Sequence, residues 1–199
     1  MGKFAIGVDV NPVLTIIARG RTVPSDQLPA LLTKSAEIVQ LAARLSVEVS
    51  AEDPLTQWFR PSSARSIRTL QKAIHLSNAA DPTPGAVEEP EWVERLDAIS
   101  CFFYCALFST VRDLLHAFRT TNPTWLASPD SYRHRIGPGE GAIVQKFEER
   151  AAHLANKLSV RIENARGPGS AVFTTGTAEN LAFVDGDFDA ALTSPPYAT

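Results

Sequence analysis

Residues 4–12, Phe4-Ala5-Ile6-Gly7-Val8-Asp9-Val10-Asn11-Pro12, join a nearly continuous apolar run to a signal for the start of a helix. A strand has such a sequence when both of its faces are covered, as in a parallel sheet flanked by helices. Pro12 suits the first turn of a helix, which the apolar residues after it would continue. The stretch therefore predicts a strand–turn–helix unit with Asp9 at the carboxyl end of the strand.

The same kind of pattern returns near residue 170. Residues 171–175 and 188–193 are predicted as two further strands, separated by a loop at residues 176–180. The sequence between the two α/β parts is predicted to be helical, with helices at residues 26–45, 64–79, 90–119 and 140–158. We therefore expect residues 1–22 and 166–199 to form an α/β core, and residues 23–165 to form a helical insertion.

The charge distribution argues against a generally basic nucleic-acid-binding protein, because the net charge is −3. A local basic segment is present, however. Residues 54–80 contain no acid, and they carry Arg60, Arg65, Arg68 and Lys72. The last three share one face of a predicted helix, and we expect this face to bind DNA phosphates. The alternative is an ordinary solvated helix face.

Other classes of protein are less consistent with the sequence. No uninterrupted apolar run reaches the roughly 20 residues that span a membrane, and residues 1–6 lack the layout of a secretory signal. A cytoplasmic protein without membrane contact is therefore expected. Cys101 and Cys105 lie on one face of a predicted helix without a second ligand pair, so we expect core thiols and no metal site.

The segment Thr193-Ser194-Pro195-Pro196-Tyr197 resembles the catalytic motif of S-adenosylmethionine-dependent amino-group DNA methyltransferases. The resemblance implies that Ser194 Oγ and the Pro195 carbonyl accept the hydrogens of an exocyclic base amine. Pro196 restricts the residue before it and so orients that carbonyl, and Tyr197 offers a stacking surface to a flipped-out base. Serine at the first position is more similar to cytosine-N4 than to adenine-N6 enzymes, and the target base stays open. An RNA methyltransferase is the alternative within the same chemistry.

Two further segments resemble the cofactor-binding loops of the same family. The segment Gly7-Val8-Asp9-Val10-Asn11-Pro12 resembles the strand end whose acid binds the ribose hydroxyls of S-adenosyl-L-methionine. The resemblance implies cofactor contacts from Asp9 and Asn11, although Asp9 could instead cap the local turn. Gly176-Thr177-Ala178 resembles the next loop, where the family usually has an aspartate that meets the adenine amine. Here Thr177, followed by Ala178, would offer an uncharged hydroxyl.

One part of the family pattern is missing. The 199 residues contain no motif of the form Asp-Pro-Phe-x-Gly-Ser-Gly-Thr, which in the family ends the strand between the Asp9 and Ser194 strands. The resemblance thus implies an α/β fold, a partial Rossmann-like methyltransferase sheet with a large helical insertion. It implies DNA and a further polypeptide segment as partners, and an inactive chain in isolation. A split enzyme, a truncated reading frame and a non-catalytic DNA- or partner-binding remnant remain open.

Overall fold

The computed structural model describes residues 3–78, 92–122, 125–163, 169–179, 181 and 188–193. Within these ranges the chain is a mixed α/β protein with two strands and six α-helices. The strands are β1 (Phe4–Asp9) and β2 (Ser170–Thr175). The helices, in chain order, are α1 (Pro12–Gly20), α2 (Leu31–Ala42), α3 (Pro61–Asn78), α4 (Trp92–Arg95), α5 (Ala98–Leu114) and α6 (Glu140–Glu163).

The strand–turn–helix unit predicted at the start of the chain is confirmed. β1 ends at Asp9, and Asn11 caps α1 by accepting a hydrogen bond from the backbone N–H of Val13 at 3.0 Å. Pro12 occupies the first turn, where the missing N–H would have had no partner within the helix. The unit places Asp9 and the N-terminus of α1 at the same end of the strand.

The two strands form a parallel pair, as the sequence predicts. Phe4 pairs with Ser170 and Asp9 pairs with Thr175, so their carboxyl ends lie side by side. The third predicted strand is wrong, because residues 188–193 have no strand conformation and their side chains are exposed. A strand needs a neighbour to bond its backbone groups. Among the described residues the sheet contains only β1 and β2, and neither pairs with this segment.

The helical character of the middle region is confirmed, but two predicted helices are interrupted. Residues 25–30 form a 3₁₀ turn before α2, since Pro29 lies inside this stretch and cannot donate a backbone hydrogen bond. The helix predicted at residues 90–119 is divided into α4 and α5. Asp97 caps the new helix by accepting a hydrogen bond from the N–H of Ser100 at 2.7 Å, a role that aspartate favours. The end of α5 tightens into a 3₁₀ turn over Leu115–Phe118.

The core lies among the helices, with α5 at its centre packed against α1, α3 and α6. Ile67, Leu70 and Ile74, whose helical spacing places them on one face of α3, are buried in this core. Phe103 of α5 is fully buried, and its ring lies edge-on to Phe102 at 5.1 Å between centroids. Interdigitated aromatic side chains of this size contribute a large share of the apolar area that a small domain buries.

Gly20 at the end of α1 explains how closely α1 approaches α5. A β-carbon at this position would lie 2.7 Å from the backbone oxygen of Cys101. Since backbone atoms inside a helix cannot give way, only glycine permits this contact.

The stretch Ala98–Phe118, which includes α5, is long and apolar enough to span a membrane. The sequence contains no uninterrupted apolar run of this length. The stretch was not recognised from the sequence because Arg112 and Asp113 interrupt its apolar residues. Half of the apolar window is buried inside the protein. The core position of α5 accounts for its hydropathy.

Candidate functional site

Three of the four residues predicted to bind a cofactor lie just beyond the carboxyl ends of the two paired strands, and the fourth, Asp9, ends β1. Asp9 and Thr175 are register partners, and the backbone N–H of Gly176 donates to the Asp9 carbonyl at 3.0 Å. Asn11 follows β1 by two residues, while Thr177 and Ala178 follow β2. The structure therefore brings Asp9, Asn11 and the Thr177–Ala178 loop together at the carboxyl end of the sheet. Open α/β sheets bind ligands at this end.

The Asp9 carboxylate takes part in a local turn. Its Oδ1 accepts a hydrogen bond from the backbone N–H of Asn11 at 2.8 Å. This contact corresponds to the alternative role considered from the sequence. It uses one of about four lone-pair positions on the carboxylate, so further donors can be accommodated. Asp9 is half-buried, whereas Thr177 and Ala178 are exposed.

The outer edge of β2, on the side away from β1, is closed by two side chains. Arg19 of α1 donates to the Phe173 carbonyl from Nε at 3.0 Å and from Nη2 at 2.6 Å. Glu94 of α4 accepts the backbone N–H of Thr175 at 2.8 Å and forms an ion pair with Arg19. Together the two side chains satisfy backbone groups that a third strand would otherwise bond.

The charge state of Glu94 suits this role. Burial opposes the charged form, but the hydrogen bond from Thr175 and the ion pair with Arg19 outweigh burial and lower the pKa of Glu94. Sequence reasoning did not identify Arg19 or Glu94 as functional. No motif marks them, because they are 75 residues apart and meet only through the fold.

The opposite edge of the sheet, along β1, is open. In a parallel ladder, alternate residues direct their backbone groups to the same side. Gly7 and Asp9 face β2, so Phe4, Ile6 and Val8 direct their N–H and C=O groups outward. Within the described part of the chain, no hydrogen bond reaches these outward groups. The side chains of Phe4 and Val172 are also 61% and 53% exposed, because α1 covers only the other face of the pair.

The residues predicted to bind DNA do not form one equivalent set. Arg68 donates to Asp53 from Nε at 2.8 Å and from Nη2 at 3.0 Å, and to Gln71 from Nη1 at 2.6 Å. The hydrogen bond from Arg68 holds the pKa of Asp53 below its usual value. Arg60, Arg65 and Lys72 are exposed. A phosphate could therefore be met by these three side chains, while Arg68 already has a carboxylate partner.

The residues predicted to act on the target base, Ser194, Pro195, Pro196 and Tyr197, lie outside the described residues. The prediction for them stays a prediction, and it depends on the family resemblance of the motif.

The two cysteines have the features of core thiols. Cys101 is fully buried and Cys105 is half-buried, and both are free thiols. Burial raises the pKa of Cys101 to about 12 and that of Cys105 to about 11. The described residues contain no group of three or more His, Cys, Asp or Glu side chains that could hold a metal ion.

No protein-family model, curated protein or solved structure matches the chain. Similarity therefore assigns no family, and a function has to be inferred from the residues and their arrangement.

Proposed function

We propose that this chain is a segment of an S-adenosylmethionine-dependent DNA methyltransferase, which transfers a methyl group to an exocyclic base amine, with cytosine N4 favoured over adenine N6. One observation carries the proposal. Asp9 and Thr175 end two adjacent parallel strands in register, so the two loops that resemble cofactor-binding loops lie together at the carboxyl end of the sheet. The two residues are 166 positions apart in the chain and meet there through the parallel pairing of the strands. We interpret the pair as part of a partial Rossmann-like sheet with a large helical insertion.

The open edge of β1 supports the idea that a further polypeptide segment completes the sheet. Arg19 and Glu94 close the outer edge of β2, so an added strand has only the β1 side on which to pair. The family resemblance places the glycine-motif strand on that side of the Asp9 strand. The exposed apolar side chains Phe4 and Val172 would then be covered by the helices that accompany such a strand.

The residues present fit one half of S-adenosylmethionine. The Asp9 carboxylate has lone pairs left for the two ribose hydroxyls, and Thr177 Oγ1 can accept one hydrogen bond from the adenine amine. The chain lacks the Asp-Pro-Phe-x-Gly-Ser-Gly-Thr motif, whose glycines would hold the methionine half. When bound, the cofactor supplies an activated methyl group. The chain's own contribution would be to orient the cofactor through Asp9 and the target amine through Ser194 and the Pro195 carbonyl.

A reconstituted complex tests this proposal. The full chain would be combined with a polypeptide carrying the Asp-Pro-Phe-x-Gly-Ser-Gly-Thr strand, and methyl transfer to duplex DNA would be followed in single-turnover mode. Ser194→Ala should slow transfer by about 10²–10³-fold and leave cofactor affinity unchanged, because Ser194 would act on the amine at the reacting centre. Wild-type rates in Ser194→Ala would show that the motif is not the amine-binding site.

The role of Asp9 is separated by an isosteric change. Asp9→Asn keeps an oxygen for the Asn11 N–H, so the local turn should survive. It removes the charge and one acceptor, and cofactor binding by the complex should weaken about tenfold, which corresponds to about 1.4 kcal/mol. Asp26→Asn, which changes an exposed acid in the 3₁₀ turn at residues 25–30, is the control. Equal cofactor affinities in wild type and Asp9→Asn would reject the ribose contact.

The DNA contact is tested through salt dependence. Replacing Arg65 and Lys72 with Ala should lower the slope of log affinity against log salt by about one unit per lost phosphate contact. Arg68 is left intact, because removing it would leave the Asp53 carboxylate without its ion-pair partner. A change in DNA affinity could then come from a loss of protein stability. Lys34→Ala with Lys146→Ala gives the same loss of charge on other helices. An unchanged slope in the first variant would leave an ordinary solvated helix face.

A further inference from the structure

A cavity of about 420 Å³ lies at the end of α1 remote from the Asp9 edge, between α1, α5 and α6. Its floor is apolar and is formed by Ile17, Phe102, Phe108 and Leu154. The volume falls in the range of sites for small organic ligands, about 300–1,000 Å³. Asp9 precedes the N-terminus of α1, and the cavity lies at its C-terminus. A nine-residue helix is about 13 Å long, so the cavity and Asp9 are at separate places on the molecule.

The cavity is elongated along α5. Its lining residues on this helix extend from Phe102 to Arg112, ten positions that span about 15 Å. On α6 the lining extends from Leu154 to Arg161. An apolar floor of this length offers continuous contact to an extended alkyl chain, whereas a compact ring would cover only part of it.

The rim of the cavity carries positive charge. Arg21, Arg112, Lys157 and Arg161 line it, and the lining residues include no acid. Arg161 and Arg21 lie next to each other, because Nη1 of Arg161 donates to the Arg21 carbonyl at 3.0 Å. A guanidinium has five N–H donors, so Arg161 keeps donors for a ligand. Asp113, which follows Arg112 in the chain, pairs instead with Arg150 and Arg119.

We propose that this cavity binds a single-chain amphiphile with an anionic headgroup. The alkyl tail lies on the floor formed by Phe102, Phe108 and Leu154, and the headgroup meets the guanidinium groups of Arg21 and Arg161. Carboxylate and phosphate headgroups both match paired guanidinium donors, so the shared chemistry is an oxyanion on an aliphatic chain. This inference is independent of the proposed methyltransferase function.

Cys105 supplies a reporter inside the cavity. It lines the cavity and is half-buried, whereas Cys101, the other cysteine of the chain, is fully buried. Alkylation of the native protein should therefore modify Cys105 first. Since burial raises the pKa of Cys105 to about 11, the reaction should be measured at pH 9, where a fraction of the thiol is ionised.

The test uses the full chain with dodecanoate and dodecyl phosphate, each below its micelle concentration. Both should bind in titration calorimetry, and the better ligand should slow N-ethylmaleimide alkylation of Cys105 at least tenfold. Arg161→Gln should weaken binding about tenfold, while Lys146→Gln, which removes a charge from α6 outside the cavity, should leave it unchanged. Ser109→Phe, which places a ring in the cavity, should abolish binding, with circular dichroism as a check that the helices remain.

The outcomes separate the possible occupants. Preference for dodecanoate over dodecyl phosphate, or the reverse, identifies the headgroup and leaves the proposal in place. Equal binding of dodecyltrimethylammonium would overturn it, because the cationic rim would then have no effect. Failure of both anionic probes to protect Cys105 would also overturn it. Protection by a short DNA duplex but not by either amphiphile would instead assign the rim to nucleic-acid phosphates.

Discussion

The helices and the strands of this molecule differ in how completely they are packed. In the helical part, aromatic side chains such as Phe59, Phe103 and Phe147 are fully buried. In the two strands no residue is buried, and Phe4 and Val172 expose more than half of their surface. The contrast indicates that the helices form a self-sufficient core, whereas the sheet has one covered face and one open edge.

The two parts are joined by few interactions. α1 packs against both α5 and β2, and Arg19 connects α1 to the Phe173 carbonyl and to α4. Two strands alone are marginal in water, so the sheet should depend on α1 and on this connection. The protein is thus expected to lose its sheet under conditions in which the helical core persists.

The largest expected effect comes from opening the helical core. Phe103→Ala should lower the free energy of unfolding by about 3–5 kcal/mol, because it removes a fully buried ring and leaves a cavity. Val172→Ala, in the sheet, should cost less than about 1 kcal/mol since the side chain is 53% exposed. Urea denaturation followed by far-ultraviolet circular dichroism measures both. Similar losses in the two variants would mean that the sheet is as tightly packed as the helices.

A smaller effect should follow from cutting the connection between the two parts. Arg19→Met keeps the length of the side chain and removes its donors to Phe173, Val93 and Glu94. Hydrogen bonds to a charged group contribute about 1.5–3 kcal/mol, and the Arg19 side chain is only 17% exposed. Amide hydrogen exchange of β2 should therefore accelerate, while the amides of α3 and α5 keep their protection.

Arg44→Met is the matched control, because Arg44 is exposed just after α2. If Arg19→Met accelerates amide exchange in α3 and α5 as much as in β2, the sheet and the helices unfold as one unit. The contrast between the two parts would then be wrong.

Most of the fold could be predicted from local sequence patterns. The run of apolar residues before Asn11–Pro12 predicts β1 and α1, and the spacing of Ile67, Leu70 and Ile74 predicts the buried face of α3. Both signals are local. The strand predicted at residues 188–193 is wrong because its pattern reports only its own apolar residues, and strand formation also needs a hydrogen-bonding neighbour.

The candidate site shows the same limit. The sequence predicts that Asp9 ends a strand, and parallel pairing brings the Thr177 loop to the same edge. The contact of Arg19 with Glu94 and the pairing of Arg68 with Asp53 could not be predicted. Each joins segments whose approach is set by the packing of several helices, so no spacing in the sequence reports it. Charged residues on one helix face look alike until their partners are known.

The smallest expected effect is a pH dependence confined to the helical part. His75 on α3 is 8% exposed, and its ring nitrogens have no hydrogen-bond partner among the described residues. Burial lowers the pKa of His75, so the unfolded chain binds this proton more readily than the folded protein. Stability should therefore be fully present above about pH 6.5 and fall at lower pH, by at most about 1.4 kcal/mol per pH unit for one proton.

Between pH 7.5 and 5.5 the Glu94 link to the sheet stays charged, because the pKa of Glu94 is lowered below 4.5. Urea denaturation at these two pH values should show the loss in wild type and in His153→Gln, an exposed histidine on α6, but not in His75→Leu. The same loss of stability in His75→Leu would show that another group takes up the proton. His75 would then make no contribution to the pH dependence of the helical core.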